Sequence, residues 1–171
     1  MKNTLQFILL TLTIIFVQVL IINNIELTGY INPFVYIYSL LIIPFKVNRI
    51  ATLFIGFTIG ITIDAFCGTW GMHAAATTLT AFVRPYIFNI FASQEDKDKQ
   101  SISYNIMPST FMVYSSIAVA IHHLALFLLE AFTFNHLWHT LLKTLFSSLI
   151  AIALIYCFER IRASYLNSQK K

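Results

Sequence analysis

Six apolar runs separated by short polar connections divide the chain, near Leu5–Ile22, Ile31–Phe45, Ile50–Phe66, Met72–Ala92, Ile106–Leu129 and Thr140–Phe158. A helix rises 1.5 Å per residue and the hydrocarbon core of a bilayer is about 30 Å thick, so about 20 apolar residues make a crossing. The pattern predicts an all-α integral membrane protein: one domain over residues 1–171, folded as a six-transmembrane-helix bundle. The first run follows Lys2 as a signal peptide would. It is too long for one, however, and ends in Asn23-Asn24-Ile25-Glu26 with no small-residue cleavage site, which predicts a retained helix. The second run is bracketed by Pro33 and Pro44 and would be roughly 22 Å long if helical, short enough that a re-entrant path is the alternative to a crossing.

Charge decides between those paths. All of the 11 Lys and Arg except Arg84 and Lys143 lie at the termini or in every second connection. With six crossings, Lys2, Lys46, Arg49, Lys97, Lys99, Arg160, Arg162, Lys170 and Lys171 share one face, which the positive-inside rule makes cytoplasmic. Both termini are therefore expected inside. The hydrophilic stretch 93–105 is expected to be a cytoplasmic linker between four helices and two. Composition agrees: 58% of residues are hydrophobic, 11% are charged, and mean hydropathy is +0.76, which excludes a water-soluble core of ordinary surface composition. The net charge of +4 suits contact with anionic membrane lipid and carries none of the basic, aromatic-interleaved patterning of a nucleic-acid binder. Tyr36, Tyr38, Trp70, Tyr86, Trp138 and Tyr156 are expected partly in interfacial aromatic belts.

Candidate chemistry is sparse. Thr52, Gly56, Gly60 and Asp64 recur every four residues and line one face of the third helix; Ala74, Thr77, Thr78, Ala81 and Pro85 offer a matching small stripe on the fourth. These stripes predict a close helix crossing, so Gly60→Leu should destabilise the protein and Gly60→Ala should be milder. Asp64, near the outer end of its helix, is expected to hold the Phe66–Gly71 loop through local hydrogen bonds, with an interhelical bond or a transport or catalytic role as alternatives. Arg84 falls near mid-membrane beside Pro85, where a guanidinium requires partners; a direct pair with Asp64 and inward snorkelling are both open. His73, His122, His123, His136 and His139 all fall in the outer half. Of these, His136 and His139 share a helix face with Glu130 nearby, too thin a set to predict a metal site. Cys67 and Cys157 are placed about a bilayer apart, beyond disulfide reach, and packing is the expected role of both. No nucleophile elbow, P-loop, dinucleotide fingerprint or His-Glu-x-x-His segment occurs, so neither catalysis nor a cofactor is expected.

Several stretches carry a family resemblance. They are Gln18–Ile25, Tyr30-Ile31-Asn32-Pro33-Phe34-Val35-Tyr36-Ile37-Tyr38, Gly56–Asp64, Gly71-Met72-His73-Ala74-Ala75-Ala76 and Phe82-Val83-Arg84-Pro85. In this order they resemble the rod shape-determining protein MreD family in its Bacteroidetes form, with the specific matches within residues 18–90 and the last two helices alike only in hydropathy. The resemblance implies a non-catalytic, multi-pass inner-membrane adaptor of the cell-elongation machinery. Its partner would be a bitopic MreC-like protein and, through it, MreB-like filaments and peptidoglycan synthases; the family has no established catalytic residues. Its helical arrangement is similar to the substrate-capture subunits of energy-coupling-factor vitamin transporters, which makes such a subunit the alternative function. Against that alternative, Leu5–Ile22 contains no alanine for an Ala-xxx-Ala docking face, and Lys2 stands where the metal-transporting members have histidine.

Overall fold

The structure is a computed structural model that describes residues 2–24, 31–98, 103, 106–132 and 137–168. It is all-helical. The long helices are α1 (Lys2–Leu20), α3 (Arg49–Cys67), α4 (Met72–Phe91), α6 (Pro108–Ala131) and α7 (Leu137–Ser168); short α2 (Tyr38–Leu41) and α5 (Gln94–Asp98) lie between them. Four segments are long and apolar enough to cross a membrane: Thr4–Asn24, Arg49–Cys67, Pro108–Ala131 and Leu137–Ser164. Helix α4 is 20 residues long and lies between α3 and α6. The same side chains that lower its hydropathy, His73, several threonines and Arg84, are the ones it buries in the bundle.

Antiparallel packing gives the bundle two distinct ends. Asn23 beside Cys67 and Lys143 paired to Glu130 (2.8 Å) mark the distal end, where the Gly68–Gly71 turn joins α3 to α4. The basic end carries the 44–48 turn, the close of α4 and the far end of α7, with exposed Lys46, Arg49 and Arg160. The α3–α4 crossing is tight. A methyl added at Gly60 would lie 2.5 Å from Ala74 Cα and 2.6 Å from the His73 carbonyl oxygen; one at Gly56 would lie 3.1 Å from Ala81 Cβ and 3.4 Å from the Thr77 carbonyl oxygen. Thr52 is buried on the same stripe.

The second apolar run departs from expectation. In place of a helix over Ile31–Phe45, the chain makes a 3-10 turn at Val35–Ile37 and then the single turn of α2, and residues 36–43 are buried. Two prolines within twelve residues remove donors and leave room for little more than one continuous turn. This core segment, residues 31–43, runs through the middle of the bundle from the distal side to the basic end. Tyr36 and Tyr38 are therefore central and fully buried, not members of an aromatic belt, whereas Trp70 is 95% exposed. In the described first part of the linker, α5 buries Asp96, which accepts from the Thr110 hydroxyl at 2.6 Å. His136, expected near His139, lies outside the described residues.

Candidate functional site

A short helix buried in a bundle of apolar helices has a backbone problem at both ends. Its first N–H and last C=O groups lack intrahelical partners, and no water is at hand to take them. In the core segment, side chains of four other helices supply the missing partners. On the distal side Gln18 of α1 accepts from Val35 N–H (2.8 Å) and Tyr36 N–H (3.3 Å), while its amide donates to the Pro33 carbonyl (3.3 Å) and to Asn23 Oδ1 (2.8 Å). His123 Nε2 accepts from Phe34 N–H at 3.0 Å, and Ser147 Oγ accepts from Asn32 N–H at 3.1 Å. Because a carbonyl can only accept, the contact of His123 Nδ1 with the Val119 oxygen (2.9 Å) places the ring proton on Nδ1 and leaves Nε2 free to accept.

At the basic end the exposed groups are carbonyls, and donors meet them. Arg84 donates to the Ile43 carbonyl and through Nε to the Tyr114 hydroxyl (2.8 Å), its guanidinium lying 4.4 Å from the centre of the Phe45 ring; Tyr114 donates to the Leu41 carbonyl at 3.3 Å. Arg84 is 2% exposed and makes no ion pair with Asp64. Asp64 instead caps α4. Its carboxylate accepts from His73 N–H (3.0 Å), Ala74 N–H (2.8 Å) and the Thr69 hydroxyl (2.6 Å), at the helix terminus where negative charge is favoured. Some 10 residues of α4 separate Ala74 from Arg84, about 15 Å along the axis, which is why the two charges do not meet.

Two phenols complete the arrangement. The Tyr36 hydroxyl is 2.8 Å from His122 Nε2 and 3.1 Å from both His73 Nδ1 and Thr77 Oγ1, and Thr77 itself donates to the His73 carbonyl at 2.7 Å. One O–H proton cannot serve three neighbours, so at least one imidazole presents an N–H to the phenol oxygen. The Tyr38 hydroxyl meets Glu159, which is 1% exposed, and Arg162 donates to both at 3.0 Å. Reasoning from sequence missed Gln18, Ser147, Tyr114, Glu159 and Arg162 as site residues. For Gln18 a signal was available: it is the lone amide in the second half of an otherwise apolar helix.

Of the residues singled out from sequence, Gly56, Gly60, Ala74, Thr77 and Ala81 meet at the α3–α4 crossing, Thr52 is buried on the same stripe with its hydroxyl donating to the Asn48 carbonyl, Asp64 and His73 meet at the distal turn, and Arg84 lies under the basic end of the core segment. Among the described residues no three His, Cys, Asp or Glu side chains stand together as metal ligands, and both cysteines are free, Cys157 being exposed where packing was expected. Comparison with protein-family models, with curated proteins and with solved structures returned no match.

Proposed function

We propose that the chain is a non-catalytic inner-membrane adaptor of the rod-shape type, docking a bitopic MreC-like partner and, through it, MreB-like filaments and peptidoglycan synthases. Six crossings are part of this reading, with the core segment as the shortened second crossing and both termini and the 93–105 connection on the cytoplasmic face. The observation that carries it is where the costly polar groups go. Gln18, Asp64, Arg84 and His123 are engaged by backbone N–H and C=O groups of the core segment and of α4, a use that builds a rigid scaffold. The resemblance over residues 18–90 supplies the class of partner.

Affinity capture from detergent is the direct test. Recovery of a coiled-coil bitopic wall protein supports the adaptor; recovery of paired ATPases favours the substrate-capture alternative. Depletion in a rod-shaped host is expected to round the cells and disperse the bitopic partner. An Asp64→Asn protein that assembles normally yet abolishes a measurable solute uptake would overturn the adaptor reading. Single cysteines at Gly29, Gln94 and Asn135, in a background lacking Cys67 and Cys157, test the topology: Gly29 and Asn135 should react from outside and Gln94 should be protected.

A further inference from the structure

Two groups of side-chain bonds hold the core segment, one toward each end of the bundle, and its backbone joins them. At the distal end Asn23 donates to Cys67 Sγ on α3 (3.1 Å), Gln18 donates to Asn23 (2.8 Å), and Gln18 accepts from Val35 and Tyr36. Two residues further along, the Tyr38 hydroxyl joins Glu159 and Arg162 of α7. The backbone changes its hydrogen-bond pattern at the second of these attachments and again beyond it. Tyr38 N–H bonds the Val35 carbonyl in the 3-10 manner, Ile42 N–H bonds the Tyr38 carbonyl in the α manner, and Ile43 N–H returns to the 3-10 manner with Leu40. A single α turn flanked by 3-10 turns has a second arrangement close at hand, because extending either pattern by one residue shifts every side chain attached beyond it.

We propose that the core segment is a two-position coupling between the membrane faces, in which displacement of the far end of α7 moves Tyr38, alters the 3-10 to α balance and is felt at Asn23 and Cys67. Helix α7 makes this reachable. Its 32 residues span about 48 Å against a hydrocarbon core of about 30 Å, so its Arg162 end stands where a partner outside the membrane can bear on it. The adaptor reading enters only as the source of such a partner; the coupling is measured on the isolated protein and stands or falls separately.

The experiment reads Cys67, a half-buried thiol at one end, while changing Tyr38 at the other. In a Cys157→Ser background the rate of maleimide reaction at Cys67 is compared between the parent, Tyr38→Phe, and Thr110→Val. The last removes a buried bond to Asp96 at the basic end that does not touch the core segment. Tyr38→Phe should change the rate about fivefold and Thr110→Val should leave it near the parent value. Arg162→Gln, at a side chain 34% exposed and therefore tolerant, should shift the rate in the same direction and serves if Tyr38→Phe does not fold. A Cys67 rate unchanged in both Tyr38→Phe and Arg162→Gln would overturn the coupling, and so would an equal change in Thr110→Val, which would mean general loosening.

Discussion

The two halves of the core segment solve the same problem with opposite chemistry. On the distal half the bare groups are N–H donors with one carbonyl, that of Pro33; the donors are met by neutral acceptors, an amide, an imidazole and a hydroxyl from Gln18, His123 and Ser147, and the carbonyl by the Gln18 amide. On the basic half the bare groups are carbonyls, met by a guanidinium and a phenol from Arg84 and Tyr114. The difference follows the polarity of a helical turn, whose C-terminal end favours a cation. It also explains why the half nearer the basic face can hold a buried guanidinium with no carboxylate bonded to it: two oxygen acceptors and the face of Phe45 receive its charge. Each half thus depends on different residues for the same purpose, and each can be broken separately.

The largest effect is expected on the distal half. Gln18→Leu keeps the volume but strips partners from Val35 N–H, Tyr36 N–H and the Pro33 carbonyl at once. At about 1–3 kcal/mol for each buried group left unpaired, the loss should reach about 4 kcal/mol, and amide exchange at Val35 and Tyr36 should rise steeply. A parent-like melting temperature in detergent would show that the core segment is held by packing alone.

Next comes the α3–α4 crossing, which positions both halves. Gly60→Ala should cost about 2–3 kcal/mol, because the new methyl meets backbone of α4, which cannot rotate away; Gly60→Leu should cost more. Gly56→Ala should cost less than Gly60→Ala, since its nearest neighbour is the Ala81 methyl, with somewhat more room. Equal thermal stability of the Gly56 and Gly60 variants would break the ranking.

On the basic half Arg84→Met removes the donor to Ile43 and the partner of Tyr114 but also a buried charge, so about 2 kcal/mol is expected. Arg84→Lys should recover part of that and no more, because an ammonium does not reproduce the fork that reaches the two oxygens. Full recovery by lysine, read by thermal unfolding in detergent, would make charge alone sufficient. The smallest effect belongs to Asp64→Asn, about 1–2 kcal/mol. The amide oxygen still accepts at the start of α4 but the amide nitrogen cannot, so one of the His73 and Ala74 N–H groups loses its acceptor together with the charge at the helix terminus. A loss as large as that of Gln18→Leu would give Asp64 a role beyond capping.

The run of apolar residues, the break at 93–105 and the repeat of small residues through Thr52, Gly56 and Gly60 determined by themselves that this is a bundle of helices apolar enough to cross a membrane, with a tight crossing on α3. Each of those features is local and periodic, and periodicity survives without knowledge of neighbours. The tertiary structure alone decided what Ile31–Phe45 becomes and what Gln18, His123, Arg84 and Glu159 are for. A donor on one helix and the carbonyl it satisfies stand 41 positions apart in the case of Arg84 and Ile43, and 89 positions separate Phe34 from His123. An isolated polar residue in an apolar run announces that a partner exists. Which backbone group it serves is fixed only when the helices pack and water is gone, for then every unpaired N–H and C=O in the core segment has to be met by whatever side chain the fold brings beside it.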